Sequence, residues 1–154
     1  MIIREEFAYV YYMKDKKSLC KMDKVGKWTC SFEYEEYNLV ELLVKMAVEQ
    51  GVVNYAKHSS ICALYLKRIH KEIRGNKKGY ICFYLDYSDI AGHKRVIEFL
   101  IKQGLIKKVG GVYENIVFSP DDSEYFDSEM QEEMDCLLLC EMIDLRTGEW
   151  KGAK

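Results

Sequence analysis

The stretch that most constrains the fold is "YICFYLDY", at residues 80–87. Nearly every position in it is apolar or aromatic, so both faces of a strand formed here would carry side chains that avoid water. A strand with one face in water alternates apolar and polar residues instead. We therefore predict that residues 80–87 form a central strand, covered by other elements on both faces.

Two amphipathic helices are predicted, one before this strand and one after it. Asn38 and Glu41 resemble a capping box at the start of the first, and Gly51 is a typical residue just after a helix end. The other begins at Ser88 or Asp89 and ends at Gln103. Its predicted inner positions are Val96, Ile97, Leu100 and Ile101, and its predicted outer positions are Lys94, Arg95, Glu98 and Lys102.

A further amphipathic helix is predicted from Ser60 to Arg74. At 100° per residue, most of its apolar side chains fall on one side, which we predict to be the buried one. These side chains are Ile61, Cys62, Tyr65, Leu66, Ile69 and Ile73. Leu64 falls outside this stripe.

Alternating apolar residues predict strands at both ends of the chain. Near the start, "FAYVYYM" (7–13), "SLCKMD" (18–23) and "KWTCSFEYE" (27–35) are separated by polar turns and predict a three-stranded meander. Later, residues 105–109 and 112–118 predict two strands. The Gly110-Gly111 pair between them suits a tight hairpin, because both glycines adopt positive φ readily.

Together these elements predict an α+β fold, with a mostly antiparallel sheet packed by about three helices and an acidic C-terminal helix. A length of 154 residues suits one domain with a real core. We assign residues 1–120 to a single α+β domain. Residues 121–154 form an acidic C-terminal segment, which we expect to be helical near 128–143 and packed on the domain.

Composition excludes several classes of protein. No apolar run approaches the roughly 20 residues that a membrane helix needs, so we expect no membrane partner. The first residues carry acids and no small-residue cleavage site, which is unlike a signal peptide. We therefore expect a cytoplasmic protein.

Neither the cysteines nor the histidines form a recognisable site. The six cysteines contain no C-x-x-C pair, and apolar neighbours surround Cys62 and Cys82, which indicates core packing rather than metal binding. His58, His70 and His93 lie in no metal or triad motif. No phosphate-binding loop is present either. We predict no catalytic residues, no metal, no cofactor and no enzyme activity.

Charge is distributed unevenly along the chain, although the formal net charge is only −2. Residues 57–108 contain twelve Lys or Arg against four acids, whereas residues 113–150 contain twelve acids against one Arg. A basic face of this kind is typical of nucleic-acid binding. The alternative is that the acidic segment packs against the basic one and neutralises it.

The stretch "RVIEFLIKQGLIKKVGGVYENIVF" (95–118) resembles the end of the recognition helix and the wing of winged-helix DNA-binding domains. In that family the outer face of this helix meets the major groove. The resemblance implies that Lys94, Arg95, Glu98 and Lys102 read the groove and that Lys107 and Lys108 touch phosphate. It covers about 94–118, and the β-α-β-β order of 80–118 fits an α+β sheet domain as well.

Two hypotheses of function follow. The first is a small nucleic-acid-binding or regulatory protein that contacts DNA or RNA through the basic face at 57–108. Its candidate residues are Lys67, Arg68, Lys71, Arg74, Lys77, Lys78, Lys94, Arg95, Lys102, Lys107 and Lys108. The second is a protein-interaction module that binds a basic partner through its acidic residues 121–149.

The tyrosine-rich strand raises a third interpretation. Tyr80, Phe83, Tyr84 and Tyr87 could form a platform on which bases stack, as on sheet-type single-strand binders. Because this strand is apolar on both faces, burial between layers explains these rings more simply.

Overall fold

Four segments of the chain are described by the computed structural model: 1–15, 24–69, 78–120 and 136–151. The strands are β1 (Ile2–Glu5), β2 (Tyr9–Met13), β3 (Val25–Phe32), β4 (Tyr55–Ser59), β5 (Gly79–Asp86), β6 (Lys108–Val109), β7 (Val112–Tyr113), β8 (Val117–Pro120) and β9 (Leu137–Leu138). The helices are α1 (Tyr37–Glu49), α2 (Ile61–Ile69), α3 (Ile90–Lys102) and α4 (Leu139–Met142). A short 3-10 turn at Tyr34–Glu36 precedes α1.

The main sheet has seven strands in the order β1-β2-β4-β5-β3-β8-β9, and every pairing in it is antiparallel. The predicted α+β class with a mostly antiparallel sheet is confirmed. β5 lies in the middle, between β4 and β3, and Ile81 and Phe83 are fully buried on one face while Cys82 and Tyr84 are buried on the other. The prediction of a central, doubly covered strand is also confirmed.

The predicted meander at the start of the chain is wrong. β2 is hydrogen-bonded to β1 along one edge and to β4 along the other, so neither edge is left for the next strand of a meander. Alternating polarity predicts that a segment is a strand but does not say which strand lies beside it. Periodicity also did not predict β4, because its polar residues Lys57, His58 and Ser59 leave no alternation of apolar and polar positions. The predicted strand at 18–23 lies outside the described residues.

All four helices bury side chains in one core on the same face of the sheet. In this core α1 packs against β2 and β4, whereas α3 brings His93 and Phe99 against Trp28, Phe83 and Phe118. α1 begins at Tyr37, one residue before the predicted cap Asn38, and it continues directly from the 3-10 turn, whose capping box is formed by Glu33 and Glu36. It ends as predicted, with Gly51 at a φ of 73° just after the helix.

The predicted buried side of α2 is wrong. Leu64 is 1% exposed, whereas Tyr65 and Ile69 are 52% and 49% exposed. α2 reaches the core beside Gly79, where an added Cβ would lie 2.6 Å from Phe32 Cζ and 2.9 Å from Leu64 Cδ2. The missing side chain leaves room for Leu64, so tertiary contact overrides the larger apolar stripe. The predicted continuation of this helix to Arg74 lies outside the described residues.

The helix and hairpin at 90–113 follow the sequence prediction closely. The Asp89 carboxylate accepts a hydrogen bond from Gly92 N–H at 3.0 Å and caps α3. Gly110 and Gly111 have φ of 62° and 79°, as a tight hairpin turn requires. The hairpin is shorter than predicted, because the chain leaves β7 and continues into β8, which joins the main sheet beside β3.

The last described segment belongs to the core. β9 pairs with β8, and Leu139 and Ile143 are 0% and 1% exposed. The predicted acidic helix near 128–143 corresponds here to a strand at 137–138 followed by the short α4. The remainder of that prediction, at 128–135, lies outside the described residues.

Two histidines are fully buried in neutral form. Trp28 Nε1–H donates to Nδ1 of His93 at 3.0 Å, so the ring proton sits on Nε2 and is donated to the Tyr87 carbonyl at 2.8 Å. His58 has the opposite tautomer: Nδ1–H donates to the Ser59 carbonyl, and Nε2 accepts from the Tyr12 hydroxyl, both at 2.9 Å. Burial lowers the pKa of both imidazoles.

These lowered pKa values predict a loss of stability in mild acid. The unfolded chain takes up protons on His58 and His93 near the ordinary pKa of 6.5, but the folded chain does so only at lower pH. The free energy of unfolding should therefore be constant above about pH 7.5 and fall below pH 6.5, by up to about 1.4 kcal/mol per pH unit for each histidine. Denaturant unfolding across pH 5–8 measures this. His58→Gln and His93→Gln should each flatten the pH dependence, and an unchanged slope in both variants would contradict the assignment.

The burial of Leu139 predicts that the C-terminal segment stabilises the whole domain. Leu139→Ala should lower the free energy of unfolding by about 2–5 kcal/mol, because it leaves a cavity in the core. Its neighbour Leu138 is 37% exposed, so Leu138→Ala serves as the matched control and should cost less than about 1 kcal/mol. Equal losses in the two variants would show that Leu139 does not belong to the core.

Candidate nucleic-acid interface

The predicted basic residues belong to several different elements of the fold. Within the described segments they divide between the side of the domain around the 3-10 turn, the outer face of α3, and the β6–β7 hairpin. Eight of the eleven candidates are described: Lys67, Arg68, Lys78, Lys94, Arg95, Lys102, Lys107 and Lys108. The other three, Lys71, Arg74 and Lys77, lie outside the described residues.

The 3-10 turn neutralises three of these cations. Arg68 Nη1 lies 2.6 Å from Glu35 Oε1, and Lys107 Nζ lies 2.6 Å from Glu36 Oε2. Lys78 Nζ lies 3.7 Å from a carboxylate oxygen of Glu33. These pairs involve the acids of "EYEE" at 33–36, which the sequence did not predict as partners, and not the acidic C-terminal segment that the prediction named.

The pKa values of two of these carboxyls reflect the pairing. The carboxylate of Glu35 accepts its own backbone N–H and the Arg68 guanidinium, and both lower its pKa. Burial alone would raise the pKa of Glu36, but hydrogen bonds from Lys107 and from the Glu33 backbone outweigh it and leave the pKa below its usual value. Both carboxyls are therefore ionised at neutral pH and offset the charges of Arg68 and Lys107.

Lys67 is also engaged on that side. Its ammonium group donates to the Lys78 carbonyl at 3.2 Å and lies 5.6 Å from the centre of the Tyr80 ring. A phosphate could replace these weak contacts, but the neighbouring ion pairs keep the surface close to neutral.

The outer face of α3 differs from this side. Lys94, Arg95 and Lys102 project within about 100° of one another around the helix axis, with Glu98 between them. Lys94 is 4.0 Å from Glu98, and both side chains are at least half exposed, so this pair is weak. In the described part of the chain, no carboxylate lies within 4.0 Å of Lys102. α3 therefore presents three cations, with Glu98 as the one acid on the same face of the helix.

Arg95 has a structural role as well. Its Nε–H donates to the Val52 carbonyl at 2.9 Å, which ties α3 to the loop after α1. Its Nη2 lies 4.0 Å from the carboxylate of Asp89, the cap residue of the same helix. The Arg95 side chain as a whole is still 48% exposed, so a phosphate can reach it.

The cations of the hairpin region, Lys107 and Lys108, contact other parts of the domain. Lys107, just before β6, is held by Glu36. Lys108 Nζ donates to the Arg146 carbonyl at 3.3 Å and lies 4.6 Å from the centre of the Tyr113 ring. Both predicted phosphate contacts therefore have partners inside the domain, Lys107 through a short ion pair and Lys108 through weaker contacts.

The element before α3 is strand β5, and α2 precedes that strand. A helix with a basic outer face followed by a glycine hairpin is present, as in the stretch that resembles a winged helix. The two-helix unit that precedes a wing in that family has no counterpart directly before α3 in the described segments.

A row of tyrosines lies on the face of the sheet opposite the helices. The rings of Tyr11 and Tyr55 are 6.2 Å apart at 14°, and those of Tyr55 and Tyr84 are 4.5 Å apart at 22°. Lys57 Nζ lies 4.2 Å from the centre of the Tyr9 ring. Burial is the largest cause that raises the pKa of Tyr9 and Tyr11, so their hydroxyls stay protonated.

This row does not match the aromatic platform considered from the sequence. Tyr80 and Tyr84 lie on the tyrosine side of β5, whereas Phe83 points into the helix-side core and Tyr87 packs against that core. Tyr84 is only 3% exposed. The ring of Tyr11 is also covered by the Arg4 guanidinium, at 4.9 Å. The simpler interpretation, burial between layers, agrees with these positions, although the alternation of Tyr9, Tyr11 and Met13 could have located the row.

The described residues offer no metal centre. None of their His, Cys, Asp and Glu side chains form a group of three that could hold an ion. Cys30 and Cys82 are buried free thiols, as core packing predicts, and burial raises the pKa of Cys30 to about 12. Cys62 is exposed, contrary to prediction, because α2 buries its other side. No helix in the described segments is long and apolar enough to cross a membrane.

Comparison with known proteins adds no relative from which a role could be transferred. No protein-family model, no curated protein and no solved structure matches the chain.

Proposed function

We propose that this protein binds nucleic acid through the outer face of α3, where Lys94, Arg95 and Lys102 contact the phosphate backbone. One observation carries the proposal: these three cations project from one exposed helix face, where the ion pairs to Glu98 and Asp89 are long, at 4.0 Å, whereas Arg68 and Lys107 are held in ion pairs of 2.6 Å. The glycine hairpin that follows α3, as in the winged-helix resemblance, supports the same surface.

Binding of this kind is dominated by the release of counterions from the phosphates, so its affinity falls steeply with salt. Three exposed cations form a small footprint, and the expected affinity is modest and largely independent of sequence. A helix of this length fits the major groove of a DNA duplex, which makes duplex DNA the first ligand to test.

The double variant Lys94→Ala/Lys102→Ala tests the proposal. It leaves Arg95 and its hydrogen bond to Val52 in place. Fluorescence anisotropy with labelled duplex DNA and RNA at several salt concentrations should show at least tenfold weaker binding at low salt. The slope of log Kd against log salt should fall by about 2, since each lost phosphate contact removes roughly 0.9.

The matched control is Arg68→Ala/Lys78→Ala, which removes the same charge from the side neutralised by Glu33 and Glu35. It should change Kd by less than about threefold. Equal weakening in the two double variants would show that net charge, not the α3 face, governs binding. Absence of binding by the wild-type protein at low salt would overturn the proposal and favour the protein-interaction alternative.

That alternative keeps the acidic residues 121–149 as the working surface. A chain cut at Ser119 cannot separate the two functions, because it also removes Leu139 and Ile143 from the core. Replacing the eight acids between 121 and 135 with their amides leaves the core sequence unchanged. If these acids compete with phosphate for the basic face, the amide variant binds duplex DNA more tightly. If they contact a basic protein partner, DNA binding is unaffected.

A further inference from the structure

An open cavity of about 540 Å³ lies between the β6–β7 hairpin and the loop after α4. Tyr113 N–H donates to the Leu145 carbonyl at 2.8 Å and joins the hairpin to this loop. The loop closes on itself through the bridge between Ile143 and Trp150, and Gly148 turns it with a φ of 79°. The volume is within the range of roughly 300–1,000 Å³ that is usual for small-molecule sites.

The wall of this cavity combines apolar side chains with two cations. Val112, Ile143 and Leu145 supply the apolar part, and Arg146 and Lys151 supply the charge. Both cations are exposed, and no carboxylate of the described segments lies within 4.0 Å of either one. The Lys151 ammonium is held at the rim by the hydrogen bond it donates to the Cys140 carbonyl, at 2.8 Å.

The one acid that lines the cavity, Asp144, accepts hydrogen bonds from the backbone of its own turn. Its Oδ1 accepts the backbone N–H of Arg146 at 2.8 Å and that of Thr147 at 3.4 Å. These hydrogen bonds hold the pKa of Asp144 below its usual value, so it carries its full charge at neutral pH. The charges of Lys151 and Arg146 also lower this pKa, so the cavity wall has two cations and one ionised acid and keeps an excess of positive charge.

We infer that this cavity binds a small organic anion, with its acidic group between Arg146 and Lys151 and its apolar body against Val112 and Leu145. Carboxylates and sulfonates with one or two rings have the required size and polarity. The inference does not depend on nucleic-acid binding, because none of the lining residues belongs to α3. A ligand here would touch the hairpin that follows α3, through Val112.

Binding of 8-anilinonaphthalene-1-sulfonate to the full chain tests this inference. The expected result is a saturable fluorescence increase with one site per chain. N-phenyl-1-naphthylamine has the same rings without the sulfonate and should bind at least tenfold more weakly. Near-UV circular dichroism confirms that the protein is folded, since the sulfonate probe also binds loosely packed states.

Arg146→Ala/Lys151→Ala should weaken the sulfonate probe at least tenfold and leave the neutral probe unchanged. Lys94→Ala/Lys102→Ala carries the same charge change on α3 and should leave the sulfonate Kd within twofold. Val112→Asp adds an acid to the wall and should also expel the sulfonate. Absence of saturable binding to the wild-type protein, or equal weakening in the two double variants, overturns the inference.

Discussion

The double burial of β5 is the constraint on which the rest of the structure depends. Its edges are hydrogen-bonded to β4 and β3, so neither edge is left to solvent. Its side chains on the helix side of the sheet, such as Phe83, are buried in the same core as α1 and α3. Its side chains on the other face are buried beside the row of tyrosines. A strand that faced water on one side could not carry Phe83 and Tyr84 next to each other, because one of the two rings would remain exposed.

The structure depends, second, on the contact between α3 and the sheet. Trp28 on β3, His93 on α3 and Phe118 on β8 form one cluster, with the His93 and Phe118 ring centres 4.7 Å apart. The Trp28–His93 hydrogen bond satisfies two polar groups that would otherwise be buried without partners, which costs about 1–3 kcal/mol each. This cluster sets which side of α3 is inside, and so it orients Lys94 and Lys102 outward.

The distribution of charge on the surface also depends on contacts between residues that are distant in sequence. The excess of cations at 57–108 is visible in the sequence, but its neutralisation by Glu33, Glu35 and Glu36 is not, because the 3-10 turn is far from its partners along the chain. Only folding brings α2, β5 and Lys107 to the same turn. Among the described cations outside these pairs are those on the outer face of α3 and Arg146 and Lys151 at the C-terminal cavity.

The sequence by itself determined the local elements: the buried strand β5, the helix α3 with its inner and outer faces, and the glycine hairpin. Each depends on periodicity or on a residue whose backbone freedom the turn requires, and those are local properties. The tertiary structure decided which strands are neighbours, that Leu64 rather than Tyr65 is buried on α2, and that the C-terminal Leu139 completes the core. It also decided which basic residues stay available to a ligand. These outcomes depend on contacts between residues that are distant in sequence. A local sequence pattern does not specify which distant residues those contacts involve.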